Sequence, residues 1–210
     1  MVLGVKTALI TGYSYYGKYW FNPSGEVAKL LDGSEISVYR VKSLVLPASF
    51  NSARSTLQKV LEELKPDFVL GLGLAPLARM LEVELVAVNY VYFTQPDVNG
   101  VKAELEKIDP RGPPVVYTTL PVEAVVKKCK SQRGYPIKPS LSTGLYLCNV
   151  AAYMIMRYGL ERRVPAGFVH IPPSTVNMLR RESEFGTPLE EIADTVKCIV
   201  EASTGVAFED

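Results

Sequence analysis

Short apolar runs alternate along the chain with longer stretches whose apolar residues recur at helical spacing. Thr7-Ala8-Leu9-Ile10-Thr11 is the first such run, and it breaks at Gly12. It reads as a central strand feeding a loop. Ile36 to Leu46 alternates enough for one or two strands, stopped by Pro47. Phe68-Val69-Leu70-Gly71-Leu72-Gly73 reads as a buried strand entering a glycine turn, and Glu84 to Tyr92, Val115 to Thr118 and Gly167 to Pro173 as further strands. Between them lie helices. Asn22-Pro23-Ser24 opens one with Pro in its first turn, Val27, Leu30 and Leu31 supply its apolar face, and Asp32-Gly33 ends it. Asn51 to Lys65 places Ala53, Leu57, Val60, Leu61 and Leu64 on one face before Pro66. Pro121 to Lys130 is a third helix. A fourth follows Leu145-Tyr146-Leu147, with Val150, Tyr153, Met154 and Arg157 in step until Gly159 closes it. The last is headed by Thr187-Pro188-Leu189-Glu190, a capping box with Pro at its first position, ahead of Ile192, Val196, Ile199 and Val200.

Strands alternating with helices predict an α/β fold: one domain, residues 1–210, an α/β/α sandwich around a mixed, mostly parallel sheet. Ligands in such sheets gather beyond the strands' C-terminal ends. The loop Gly12–Phe21, crowded with Tyr13, Tyr15, Tyr16, Tyr19 and Trp20, belongs there, as does the turn Gly71–Pro76. Those aromatics either cover the sheet end or form a ligand platform. Thr94 to Pro114 is rich in Pro, Gly and charge and lacks periodicity, the mark of a lid, a binding loop or an interface segment.

Composition narrows the partners. At 48% apolar and 21% charged the 210 residues are those of an ordinary soluble protein. A net charge of +1 leaves no footprint for nucleic acid or an acidic membrane. Lys127, Lys128, Lys130 and Arg133 read as the solvated end of a helix. No apolar run is long enough to cross a bilayer. The N-terminus runs straight into a strand-like segment containing Lys6, so no signal peptide is expected. The three cysteines, widely spaced, match neither a zinc site nor a disulfide framework, and the cytoplasm is the expected compartment.

Candidate chemistry centres on Cys148, where an extended segment turns into a helix. The free N–H groups of a first turn favour negative charge, lowering a thiol's pKa and offering a place for an oxyanion. The chain holds a single histidine, His170, near the end of the last strand. In a parallel sheet the two are expected to share an edge, and a carboxylate to orient the base would complete a set for amide cleavage through a thioester. Glu82 and Glu84 lie closest to that edge, and the residues alone do not separate them.

Several stretches together resemble the pyrrolidone carboxyl peptidases, or type I pyroglutamyl peptidases. They are Thr11–Gly17 with Asn22-Pro23-Ser24, Gly73-Leu74-Ala75-Pro76, Glu84 ahead of Val86-Ala87-Val88-Asn89, Gly144-Leu145-Tyr146-Leu147-Cys148-Asn149, and Gly167-Phe168-Val169-His170-Ile171-Pro172. The resemblance covers nearly the whole chain. It implies a cytosolic cysteine peptidase that removes N-terminal pyroglutamyl residues without metal or cofactor, with Cys148, His170 and Glu84 as its triad. By the count back from Val86, it excludes Glu82. It also implies that Tyr13 and Tyr16 clamp the pyrrolidone ring where relatives usually carry phenylalanine, with Asn22 and Leu147 completing the substrate-binding set. A homotetramer or dimer is implied, with Val91, Tyr92 and Phe93 as an apolar interface. Cys198 is expected as a free buried thiol, or as a cross-link between subunits. The chain departs from the pattern at Thr94, where relatives carry an arginine thought to assist the oxyanion site, and at Leu141 and Tyr15. Losing an oxyanion donor costs on the order of a hundredfold in turnover. The alternative implied by those departures is a relative that binds without cutting, or that hydrolyses another small acyl amide.

Overall fold

The computed structural model describes residues 5–205. Strand β1 (Lys6–Tyr13) is buried on both faces from Ala8 onward, because it lies inside a seven-stranded sheet. Its parallel neighbours are β3 (Tyr39–Leu46) and β4 (Phe68–Leu74), and β4 in turn pairs in parallel with β11 (Ala166–Ile171). Beyond β11 the sheet continues through β5 (Leu81–Glu84), which runs antiparallel to it, to the edge strand β10 (Ile137–Ser140). At the other edge β2 (Glu35–Ile36) folds back against β3. The sheet is therefore mixed and mostly parallel.

Successive side chains of a strand point to opposite faces, and the two halves of the core follow that rule. Ala8, Ile10, Leu70 and Val169 pack on one face against α1 (Pro23–Leu31) and α6 (Leu189–Ala202). Leu9, Val69 and Phe168 pack on the other against α2 (Phe50–Leu64) and α4 (Leu147–Arg162). Each buried aliphatic side chain contributes about 1.5–3 kcal/mol, so these two layers hold the sheet in place.

Several expectations need correction. The segment Glu84–Tyr92 is not one strand. It leaves the main sheet after Glu84 and forms β6 (Val86–Val88), paired with β9 (Val115–Tyr117), and β7 (Val91–Phe93), paired with β8 (Ala103–Glu106). A continuous apolar run carries no mark of where its pairing partner changes. Of the expected interface residues only Tyr92 is exposed, whereas Val91 and Phe93 are spent in the core. The stretch 94–114 is anchored by more than β8. Asp97 is buried and accepts N–H bonds from Phe50 at 2.7 Å, Asn99 at 2.8 Å and Val101 at 2.9 Å. It thus caps α2 from a distance, since Ser49 makes no side-chain cap bond there. Burial would raise the Asp97 carboxyl, but these donors outweigh it and hold the group below its ordinary range.

Helix α4 runs past Gly159 to Arg162 and ends at Arg163 in the left-handed region. Gly159 serves packing instead: a Cβ there would stand 2.5 Å from both Ala166 Cβ and Thr119 Oγ1. No capping box heads α6, whose N-cap is Pro188. Thr187 is drawn into backbone pairing with Pro173 and Thr175, while a capping box formed by Ser174 and Asn177 heads α5 (Thr175–Leu179). Strand β10 has no expected counterpart; its Pro139 is tolerated because the strand lies at a sheet edge. Finally, α3 (Val122–Val126) passes into a π-helical stretch, Lys127–Gln132, that buries Cys129 against α6, where it forms a disulfide with Cys198. Cys198 is neither a free thiol nor available to cross-link subunits. The 69-residue separation hides the pair in sequence, but the fold lays both helices on one face.

Candidate active site

The site forms where β1, β4 and β11 end together. Register places His170 beside Gly73 of β4 and opposite Glu82 of β5. Period two then puts Glu82, Glu84, Phe168 and His170 on one face of the sheet. Glu84 reaches diagonally across the pair, and its Oε1 lies 2.7 Å from His170 Nδ1, with both side chains buried. Donation from Nδ1–H to this carboxyl leaves the far nitrogen of the ring free for a second partner. Phe168 sets its ring edge-on to the imidazole at 5.3 Å and holds the plane of the ring.

Cys148 is the second residue of α4, half-buried, and the only free cysteine among the described residues. Its sulfur has room because position 73 lacks a side chain: a Cβ on Gly73 would approach Sγ to 2.7 Å. Gly73 lies within β4, not in a turn. Burial alone would lower the His170 imidazole, but hydrogen bonding to Cys148 and to Glu84 outweighs it and pushes the group up to about 10. The imidazole therefore has a strong affinity for a proton right beside the thiol. The first bonds of α4 run from Asn149 and Val150 back to Tyr146 O, so the N–H groups of Leu147 and Cys148 precede the helix's own ladder and remain available as donors.

A cavity of about 490 Å³ opens over these groups, walled by Tyr13, Tyr16, Tyr146, Ala48, Cys148 and His170. Tyr13 is buried, and its hydroxyl donates to Leu147 O at 2.7 Å. Burial, then Cys148 and Tyr146, raise its pKa well above the ordinary phenol value. Tyr16 is half-buried and leans against Tyr146 with ring centroids 5.4 Å apart. Asn22 touches the cavity, but its side chain is committed locally. It caps α1 by accepting from Ser24 N at 3.1 Å, and it donates to Ser14 O at 2.8 Å. Leu147 is buried and meets the cavity next to Cys148. Thr94 and Leu141 are both exposed, and Tyr15 stacks on Trp20 at the surface.

Glu82, the other acid the residues left open, pairs with Lys138 at 3.0 Å on the rim. Ligand atoms of Glu82, Glu84 and His170 lie within 4.8 Å of one another, a spacing that would suit a cation. All three donors are already engaged, however: Glu82 by Lys138, and Glu84 and His170 by each other. A larger cleft of about 690 Å³ lies between α2 and α4 and includes none of these residues; there Arg157 is paired with Asp109 and Glu161.

In the sequence Asn149 stands out only by its place next to Cys148. Fully buried, it donates to Val88 O and Tyr90 O at 2.8 Å each, accepts from Val88 N at 3.1 Å, and accepts from Thr143 Oγ1 at 2.7 Å. It ties the start of α4 to the excursion after β5, and the only signal for it was an amide where a core residue was due. Chemically, a thiol, an imidazole with raised proton affinity, a buried carboxyl and free N–H donors suffice for acyl transfer through a thioester.

The chain is similar to known proteins over most of its length. Residues 6–206 match the family described as pyroglutamyl peptidase. A pyrrolidone-carboxylate peptidase of Pyrococcus furiosus is 39% identical over 78% of this chain and 79% of its own length. One from Chromobacterium violaceum is 33% identical over 95% of this chain and 93% of its own. The solved pyrrolidone carboxyl peptidase of Thermococcus litoralis superposes with a TM-score of 0.87 at 33% identity, over 94% of this chain and 93% of that one. With a family match across most of its length, relatives more than 30% identical and a fold in accord, the chain belongs to the pyroglutamyl peptidase family.

Proposed function

We propose that the chain, acting as one peptidase domain, removes N-terminal pyroglutamyl residues from peptides, with Cys148 as nucleophile, His170 as acid and base, and Glu84 as the group that orients the imidazole. The single observation that carries this reading is the sealed 2.7 Å contact between Glu84 and His170 beside the one free thiol among the described residues. His170 takes the Cys148 proton. The sulfur attacks the carbonyl joining pyroglutamate to the next residue, and the carbonyl's π pair moves to oxygen beside the N–H groups at the start of α4. Collapse breaks the C–N bond as His170 protonates the leaving amine. Water, deprotonated by His170, then cleaves the thioester and restores the thiol.

The substrate follows from the walls of the cavity. A pyroglutamyl terminus is a flat lactam without a charged amine, so aromatic faces such as Tyr13 and Tyr16 suit it better than an acidic anchor would. Asn22 acts by holding the loop that carries Tyr16, through its bond to Ser14 O, and Leu147 by backing the lactam next to the nucleophile. No step calls for a metal or a cofactor.

Among the described residues no helix is long and apolar enough to cross a membrane. A cytoplasmic place of action suits the free Cys148 thiol, and burial of both Cys129 and Cys198 shields their disulfide from small reductants. The decisive experiment is hydrolysis of a fluorogenic pyroglutamyl amide by the wild type, Cys148→Ala and His170→Ala. Turnover by the wild type alone is expected, with losses of about a thousandfold or more in each variant. Comparable turnover in either variant would remove that residue from the mechanism.

A further inference from the structure

The Tyr13 hydroxyl donates to the carbonyl oxygen of Leu147 at 2.7 Å, across 134 residues of sequence. That carbonyl and the Cys148 N–H belong to one planar trans peptide unit, so fixing the direction of one end fixes the other. We propose that Tyr13 is a positioning residue for the acyl-transfer step: through the Leu147 carbonyl, its hydroxyl aims the Cys148 N–H at the oxyanion that forms when the sulfur adds to the substrate carbonyl. The inference deepens the function proposed above and rests on Cys148 being the nucleophile.

Three observations carry it. First, Tyr13 is tied to the body of the protein rather than to the aromatic loop that follows it. It is the last residue of β1, paired with Leu46 of β3, and its own N–H donates to Ser24 Oγ at 3.0 Å. The reference that orients the peptide is therefore the central sheet. Second, the contact is made in the first turn of α4, where the N–H of a peptide unit has no acceptor within its own helix and only the carbonyl end is held. A carbonyl oxygen has two lone pairs, so a phenol can occupy one while the helix uses the other. Drawing electron density onto that oxygen also makes the N–H of the same amide a better donor. Third, the phenol is buried and keeps its proton, so it stays a donor across the working pH range. The substrate accordingly meets the face of the Tyr13 ring, not its oxygen.

Tyr13→Phe tests this, since it deletes one oxygen and keeps the ring. For a pyroglutamyl amide we expect kcat to fall about tenfold with KM within about twofold, part of the hundredfold or more lost when an oxyanion donor is removed outright. Two inhibitors separate positioning from simple packing. A pyroglutamyl aldehyde adds the Cys148 sulfur to its carbonyl carbon. The resulting oxygen sits where the oxyanion would, so its Ki is expected to rise in step with the loss in kcat. The bare lactam 2-pyrrolidone has no acyl carbonyl outside its ring to attack, and its Ki is expected to hold. An unchanged kcat, or equal weakening of aldehyde and lactam, would overturn the positioning role. Loss of Cys148 alkylation by iodoacetamide in the variant would do so too, by showing that the hydroxyl maintains the fold and not the donor. If the wild type neither cleaves the amide nor binds the aldehyde, the peptidase reading itself fails and takes this inference with it.

Discussion

Glu82 and Glu84 differ by two positions on one strand and face the same way, yet their environments are opposite. Direct register puts Glu82 across from His170, but it spends its charge on Lys138 at the rim. Glu84 lies one step deeper, is sealed from solvent and takes the imidazole. No local pattern in the chain distinguishes them, because burial here is set by what β10 and β11 lay on either side. Only the likeness to known relatives chose between them. The pairing has a direct pH consequence. Glu84 helps raise the His170 imidazole to about 10, so the imidazolium partner of the sulfur persists far into the alkaline range. Glu84→Gln removes the anion that favours the protonated ring, which lowers the imidazole's pKa. The alkaline limb of kcat/KM is expected to move to lower pH, with a tenfold or greater loss in kcat. A profile measured from pH 5 to 10 decides the matter; an alkaline limb that stays put would detach Glu84 from the base.

At the scale of elements, periodicity served well where one partner governs a whole segment and poorly where partners change. Helices α1, α2 and α4 lie where their apolar spacing and opening residues predict. The run from Glu84 to Tyr92 reads as one strand although three different sheets share it, and Pro139 hides β10 because it argues against a strand away from an edge. The disulfide was illegible for a related reason: nothing in a 69-residue spacing reports that two helices meet. Closing a loop of that size removes chain entropy worth about 4 kcal/mol from the unfolded state. Cys129→Ala, Cys198→Ala or full reduction should each lower the melting temperature by on the order of 10 °C while leaving kcat in place. Calorimetry of the two variants beside the wild type is the check, and unshifted transitions in both would show that the staple contributes nothing.

For the molecule as a whole, alternation of strands and helices was enough to foresee a sheet covered on both faces, and the rule that ligands gather beyond strand ends located the site. The excursion between β5 and α3 was not foreseeable, since its short strands pair only with each other. It leaves apolar side chains on the outside: Tyr92 is 49% exposed, and Leu105 and Tyr117 are each 65% exposed. Such a group on one segment favours association of like chains, and a dimer or tetramer is expected. Light scattering should give a mass near two or four times 23.1 kDa, and a particle of one chain at micromolar concentration would exclude it.

The chain's one histidine is the one that touches Glu84. Nitrogen-15 labelling would therefore yield a single pair of ring resonances, free of overlap and needing no assignment. Tautomer, protonation and the arrival of an inhibitor could all be followed on those two lines alone.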